Sequence, residues 1–131
     1  MRRWMIVALL VLLGGCHSDL AREAKGKPAT WQVVGSWSGR GNAQTDSFDI
    51  GYEPCRIRWE ARNETASGQG RLRVTVNSSV SGRELAVAVD HRGVGHDIAY
   101  VSVDPHYSYL LIESSGVDWS VSVEELLARK N

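Results

Sequence analysis

The chain has 131 residues, 43% of them hydrophobic, and its 15 basic side chains balance its 15 acidic ones. That length fits one domain with a core of ordinary size. The balanced charge, without a basic tail or a block of like charges, excludes the electrostatic footprint of a nucleic-acid-binding protein.

The first fifteen residues have the parts of an export signal. Arg2 and Arg3 form a basic start, and residues 4–13 are an unbroken apolar run. A helix that spans a bilayer needs about 20 apolar residues, so this run is too short for a permanent transmembrane segment. We therefore predict a signal peptide over residues 1–15, which is removed from the mature chain.

The motif Leu13-Gly14-Gly15-Cys16 ends this segment. A branched apolar residue three places before a cysteine, followed by two small residues, resembles the lipobox of bacterial lipoproteins. The resemblance implies diacylglycerol transfer to the Cys16 thiol, cleavage before Cys16 and acylation of the new amino group. Two or three acyl chains would give stable membrane attachment. The alternative is an ordinary secreted protein, although no A-x-A-like cleavage site precedes Cys16.

The same resemblance has a consequence for location. In lipoproteins of enterobacterial type, Asp directly after the lipidated cysteine retains the protein in the inner membrane. This chain has His17 at that position, which implies the outer membrane of the cell envelope.

Residues 16–29 are interpreted as a lipidated tether. They are rich in charged and small side chains and lack a sustained apolar stripe. Removal of the signal peptide would leave about 116 residues with a formal charge of −2. Residues 30–131 are then the folded domain.

From Thr30 onward, apolar residues recur at every second position. This is the period of a strand with one face on a core and the other in water. About eight strands are predicted, over residues 31–37, 48–50, 55–61, 72–76, 85–89, 99–103, 107–113 and 119–123. Segments rich in Gly, Asn and Ser separate them, so we predict an all-β fold: a single antiparallel β-sandwich, jelly-roll-like. One helical turn over residues 124–127 is expected to close it.

Four tryptophans fall on the apolar phase of their strands and are predicted to lie in the core: Trp31, Trp37, Trp59 and Trp119. A sugar-stacking platform is the alternative for these rings, and Tyr52 and Tyr100 are freer candidates for exposed stacking. Acylation of Cys16 would make Cys55 the single cysteine of the mature chain, which excludes an intrachain disulfide. Because Cys55 begins an apolar strand face, we expect it to be buried and chemically inert.

Three segments resemble small secreted bacterial domains: residues 37–48 (W-x-G-x-G…T-x-x-F), 55–59 (R-I-x-W) and 118–123 (D-W-x-V-x-V). The resemblance covers about residues 31–124, although Tyr107 to Leu111 departs from the tyrosine-rich strand of those domains by an inserted spacing. It implies a β-sandwich like jelly-roll or CUB-like modules. It implies no activity.

Histidines and carboxylates cluster between two predicted strands and in the next loop: His91, His96, Asp97, Asp104 and His106. Imidazole suits zinc, copper or nickel, and carboxylates suit calcium. His91 and His96 flank a glycine-bearing turn, so their side chains could converge across a hairpin mouth. The alternative is that these residues serve turns and solubility, since no compact metal-binding spacing is present.

Five arginines alternate with apolar residues on two predicted strands: Arg56, Arg58, Arg62, Arg71 and Arg73. If these strands form a hairpin, the guanidinium groups project from one face. Such a face could bind phosphates, lipid headgroups or an acidic partner. Glu60, Glu64 and Glu84 could equally neutralise it through cross-strand pairs.

Signatures of catalysis are missing from the sequence, which has no G-x-S-x-G nucleophile elbow. We therefore expect a noncatalytic, lipid-anchored β-sandwich that presents an interaction surface to another protein of the cell envelope. The alternative is a metal- or carbohydrate-binding module that uses the loops of His91, His96 and His106. The sequence predicts no cofactor and no particular oligomeric state.

Overall fold

A computed structural model describes residues 30–51, 54–103 and 107–127. The predicted signal peptide, Cys16 and the tether lie outside these ranges, as do Tyr52, Asp104 and His106. Every regular element in the described ranges is a β-strand. A helix of the length and apolarity needed for a bilayer crossing is absent from these ranges.

Nine strands follow one another along the chain. They are β1 (Thr30–Arg40), β2 (Ala43–Gln44), β3 (Phe48–Asp49), β4 (Cys55–Arg62), β5 (Arg71–Ser78), β6 (Glu84–Arg92), β7 (Gly95–Val101), β8 (Tyr107–Ser115) and β9 (Asp118–Leu127). Eight of them overlap the predicted strands, although β7 begins four residues before the predicted strand at 99–103 and shares only residues 99–101 with it; the two-residue β2 is the addition. Strands form here because β-branched and aromatic residues alternate with polar ones.

The strands pair in two antiparallel sheets. Sheet A has the order β1-β9-β4-β7, and sheet B has the order β2-β8-β5-β6, with β3 also paired to β8. From β3 onward the chain crosses between the sheets at every connection except the β5–β6 hairpin. This interleaving is jelly-roll connectivity, so the structure confirms the predicted all-β antiparallel sandwich.

The core lies between the two sheets. Its largest fully buried side chains come from the inward phase of β4, β5, β8 and β9, and include Ile57, Leu72, Val74, Leu110, Ile112, Val121 and Val123. The side chains of β4 and β9 in sheet A face those of β5 and β8 in sheet B. This packing removes their apolar surface from water.

A β-bulge in β1 separates the strand into two phases. The register with β9 shifts between Val33 and Gly35, so Val34 is an extra residue. Val34 and Trp37 pack against the core, whereas Trp31 and Val33 emerge on the outer face. The expectation of a core position for Trp31 was therefore wrong, because one inserted residue reverses the face of every position before it.

Bulges in the β5–β6 pairing have the same effect. The register shifts after Val74 and again after Val76. Ala86 and Ala88 consequently pack against the core, and Val87 is 48% exposed on the outside. A strict alternation along β6 would have predicted the reverse.

The predicted helical turn at residues 124–127 does not form. β9 continues as a strand to Leu127, because β1 pairs with it along its whole length, from Asp118 with Arg40 to Leu127 with Thr30. Two hydrogen-bonded neighbours, β1 and β4, hold this last segment extended.

Several turns meet at the end of the sandwich opposite Thr30, which we call the far end. The Glu64 carboxylate accepts a hydrogen bond from the Gly70 amide at 2.8 Å. The Gly70 carbonyl in turn accepts one from the Gly93 amide at 2.7 Å, and Thr65 donates to the Gly116 carbonyl at 2.9 Å. Glu64 thus fixes a loop and does not neutralise an arginine.

Substitution of Gly70 by Ala is expected to lower the free energy of unfolding by about 1–3 kcal/mol. A Cβ atom at Gly70 would lie 2.4 Å from Cγ1 of Val117, a stiff and fully buried side chain. Urea denaturation would measure the loss. Gly51→Ala is the matched control, since a Cβ there meets nothing within 4 Å; its expected effect is no larger than about 1 kcal/mol, and stabilising in sign. Equal stabilities of the two variants would contradict the packing described at Gly70.

Candidate interaction surfaces

The five predicted arginines lie on two different faces. β4 belongs to sheet A and β5 to sheet B, so the hairpin on which a single arginine face depended does not form. Arg56, Arg58 and Arg62 project from the outer face of sheet A, and Arg71 and Arg73 from the outer face of sheet B. A carboxylate lies within ion-pair distance of each of them.

One row of side chains crosses all four strands of sheet A near the end where β1 begins. In the order β1, β9, β4, β7 its members are Val33, Glu124, Arg56 and Tyr100. The Trp31 ring covers Arg56, with its centroid 4.0 Å from the guanidinium carbon, and meets Tyr100 edge-on at 6.1 Å. We call these five residues, together with Arg58, the tether-end patch.

Glu124 is the buried centre of the tether-end patch and is only 8% exposed. Its Oε1 atom lies 2.5 Å from Nε of Arg56, and its Oε2 atom lies 3.3 Å from Nε of Arg58. Desolvation by burial acts to lower the pKa of Arg56, but hydrogen bonds to Glu124 and Tyr100 outweigh it, so that pKa is raised. Arg56 therefore stays charged, held between a carboxylate and an aromatic ring.

The rim of the tether-end patch is apolar and open to solvent. Tyr100 is 65% exposed and Val33 is 55% exposed, and Trp31 is half-buried. Arg58 keeps about half of its side chain in water. Exposed aromatic rings beside arginine are the composition that is enriched where proteins meet other surfaces.

The remainder of the outer face of sheet A, toward the far end, has a different character. Four serines line it: Ser36, Ser38, Ser120 and Ser122. Beyond them Arg62 pairs with Glu60 at 3.4 Å, and Arg40 pairs with Asp118 at 2.8 Å. Hydrogen bonds from Asn63 and Arg40 hold the pKa of Asp118 below its ordinary value.

The outer face of sheet B carries a second surface, with charged and apolar residues from three strands. Its members are Arg71 and Arg73 from β5, Val87 and Asp90 from β6, and Leu111 and Glu113 from β8, which we call the sheet B face. The Nη1 atom of Arg73 lies 3.0 Å from Oε1 of Glu113, and the Nη2 atom of Arg71 lies 3.6 Å from Oδ1 of Asp90. A shallow depression of about 320 Å³ runs along Arg71, Arg73 and Glu113.

The two histidines that the structure describes do not converge. β6 and β7 lie in different sheets. His91 is on the inward phase of β6, where its ring centroid lies 4.8 Å from that of Trp59 at an interplanar angle of 50°, while His96 lies beside Glu60 on the outer face of sheet A. Nε2 of His91 is 3.1 Å from the Val94 carbonyl, which only accepts, so this nitrogen carries the proton.

Asp97, the third residue of β7, accepts a hydrogen bond from the amide of the next residue, Ile98, at 2.8 Å. Within the described part of the chain, no group of three His, Cys, Asp or Glu side chains lies close enough to hold a metal ion. His106 and Asp104, the other predicted ligands, lie outside it.

The tryptophans differ in their surroundings. Trp119 is buried, and its Nε1 donates to the Gly41 carbonyl at 2.9 Å. Trp37 and Trp59 are partly buried against the core. Cys55 is buried as expected, and its thiol donates to the Val101 carbonyl at 3.5 Å. Trp31 alone of the described four tryptophans belongs to a surface cluster.

Glu124 and Glu113 were not among the predicted site residues, although each neutralises an arginine of the set. The usable signal for Glu124 was the alternation of Asp118, Ser120 and Ser122, which continues through Glu124 on the polar phase of β9. The sequence does not show that β4 lies beside β9, so the contact of Glu124 with Arg56 was not predicted.

Comparison of the sequence with models of known protein families gives no match. Comparison with curated proteins gives no match either.

Substitution of Glu124 by Gln is expected to reduce the free energy of unfolding by about 1–3 kcal/mol, because Arg56 would lose its charged partner in a site that water barely reaches. Urea denaturation at neutral pH would measure the change. The control is Glu60→Gln, since the Glu60–Arg62 pair is about half exposed and is expected to contribute less than about 1 kcal/mol. A Glu124→Gln variant no less stable than Glu60→Gln would refute the central role of this carboxylate.

Proposed function

We propose that this chain is a noncatalytic lipoprotein of the bacterial cell envelope whose β-sandwich presents an interaction surface to another envelope protein. Acyl chains on Cys16 hold it to the membrane, and residues 16–29 connect them to the sandwich. In a Gram-negative cell, His17 after Cys16 favours the outer membrane.

The anchoring part of the proposal is supported by the order of the N-terminal residues. A basic start, a short apolar run and the motif Leu13-Gly14-Gly15-Cys16 follow one another in the order that is typical of bacterial lipoproteins. Attachment through two or three acyl chains is stable, whereas one chain gives only marginal binding.

The observation that carries the interaction part is the composition of the sheet B face. Val87, on the edge strand β6, is 48% exposed and lies in one row with Thr75 and Leu111. The Arg73–Glu113 and Arg71–Asp90 pairs lie on one side of this row, and apolar side chains next to charged ones are common in protein–protein interfaces. The depression beside it is shallow and open, which suits a protein surface better than an enclosed small molecule.

Replacement of Cys16 by Ser is expected to release the protein from the membrane fraction, because the acyl chains have no other attachment point. Fractionation followed by a high-salt wash would show the shift, and mass spectrometry of the wild-type protein would show the mass of the acyl chains. A wild-type protein without that added mass would refute the lipoprotein assignment.

The interaction surface can be tested with Val87→Glu, which places a charge at the exposed apolar position of β6 on the sheet B face. We expect that variant to lose a partner that the wild-type protein retains in quantitative affinity capture from detergent-solubilised envelopes. Val80→Glu is the matched control, because Val80 is 85% exposed at the tip of the β5–β6 turn and lies off this face.

Thermal unfolding of both variants would establish that each keeps the fold. Two results would overturn the proposal for this face. One is recovery of the same partner by Val87→Glu as by the wild-type protein, and the other is enrichment of no protein by the wild type.

A further inference from the structure

The tether-end patch combines the three kinds of side chain that favour the interface of a lipid bilayer. Trp31 and Tyr100 are amphipathic rings of the type that collects at the headgroup level. Val33 adds an exposed aliphatic group. Arg58, half in water beside Glu124, offers donors that match the geometry of a lipid phosphate.

The character of the side chains on the outer face of sheet A changes from one end of the sheet to the other. The aromatic and aliphatic groups lie at the end where β1 begins, and the serines and exposed ion pairs lie toward the far end. A face that served only to be solvated would have no reason for this separation. The apolar half adjoins Thr30, the first described residue after the tether.

The length of chain before Thr30 restricts how far this end can lie from a lipidated Cys16. Residues 16–29 number fourteen, and such a segment spans at most about 50 Å when fully extended. The tether-end patch starts one residue after Thr30, at Trp31. Among the described surfaces it is therefore the one attached most directly to the anchor.

The charge of the tether-end patch also suits a membrane. Arg56 and Arg58 share the single carboxylate of Glu124, which leaves one positive charge in excess. Since Arg56 is enclosed by Trp31 and Glu124, the outward cation is Arg58. Anionic phospholipid headgroups attract such a charge.

We propose that the tether-end patch docks on the bilayer, with Trp31, Tyr100 and Val33 entering the boundary between headgroups and acyl chains and Arg58 pairing with lipid phosphate. This inference rests on the proposed lipid anchor for its biological setting. The sandwich would thus lie against the membrane on one face of sheet A.

The experiment makes the test independent of acylation in the cell. The chain from Cys16 onward, which contains every described residue, is coupled through the Cys16 thiol to a maleimide-bearing lipid in vesicles of phosphatidylethanolamine and phosphatidylglycerol. The Cys55 thiol is buried, and a Cys16→Ser variant that fails to couple would verify the attachment point. Lipids brominated on their acyl chains then quench any tryptophan at the bilayer.

We expect quenching in the wild-type protein, its almost complete loss in Trp31→Phe, and its retention in Trp59→Phe, since Trp59 packs inside. Val33→Ser, a milder change, should weaken the quenching, whereas Val80→Ser should not. Arg58→Gln should weaken it most on vesicles with the anionic phosphatidylglycerol, and less on vesicles of phosphatidylcholine, whose phosphate is accompanied by a choline cation.

Absence of quenching in the coupled wild-type protein, or equal quenching in Trp31→Phe, would overturn the docking proposal. Each of these results leaves acylation of Cys16 untouched, because that is decided by the mass of the protein made in cells.

Discussion

The extra residue at Val34 determines which side chains of β1 meet the core and which join the outer face of sheet A. Side chains alternate along a strand, so one inserted residue moves all earlier positions to the opposite face. A regular strand that kept Trp37 inside would also bury Trp31. Arg56 would then have no ring over its guanidinium group, and the tether-end patch would not exist.

Glu124 shows how this outer face accommodates a buried carboxylate. An isolated buried charge is costly, and pairing with well-placed donors compensates for the lost hydration. Here the compensation comes from Arg56 and Arg58 on the neighbouring strand, and Trp31 helps to exclude water. The tether-end patch contains side chains from β1, β9, β4 and β7. Its contacts therefore stabilise all four strands of sheet A at the end where β1 begins.

Local alternation located most of the strands and gave the inward phase of β4, where Cys55, Ile57 and Ala61 face the core. It missed β2 and the first four residues of β7. It did not reveal the bulges, because a β-branched residue such as Val33 is accommodated on either face. It also did not identify which strands pair. Arg56 and Glu124 are 68 residues apart, and their meeting depends on jelly-roll crossings that two-residue periodicity does not encode. A β4–β5 hairpin would have joined neighbours in sequence that the fold separates.

The two candidate surfaces are compatible because the outer faces of a sandwich point in opposite directions. With sheet A against a bilayer, the sheet B face would point away from it and remain accessible to a protein. The membrane contact also needs little intrinsic strength. A short tether gives an effective concentration in the millimolar range, so a patch with a dissociation constant of about 1 mM, equivalent to about −4 kcal/mol, would be substantially occupied. With such a tether, a patch with a single excess positive charge would need less intrinsic affinity for the bilayer than the surface of an untethered protein.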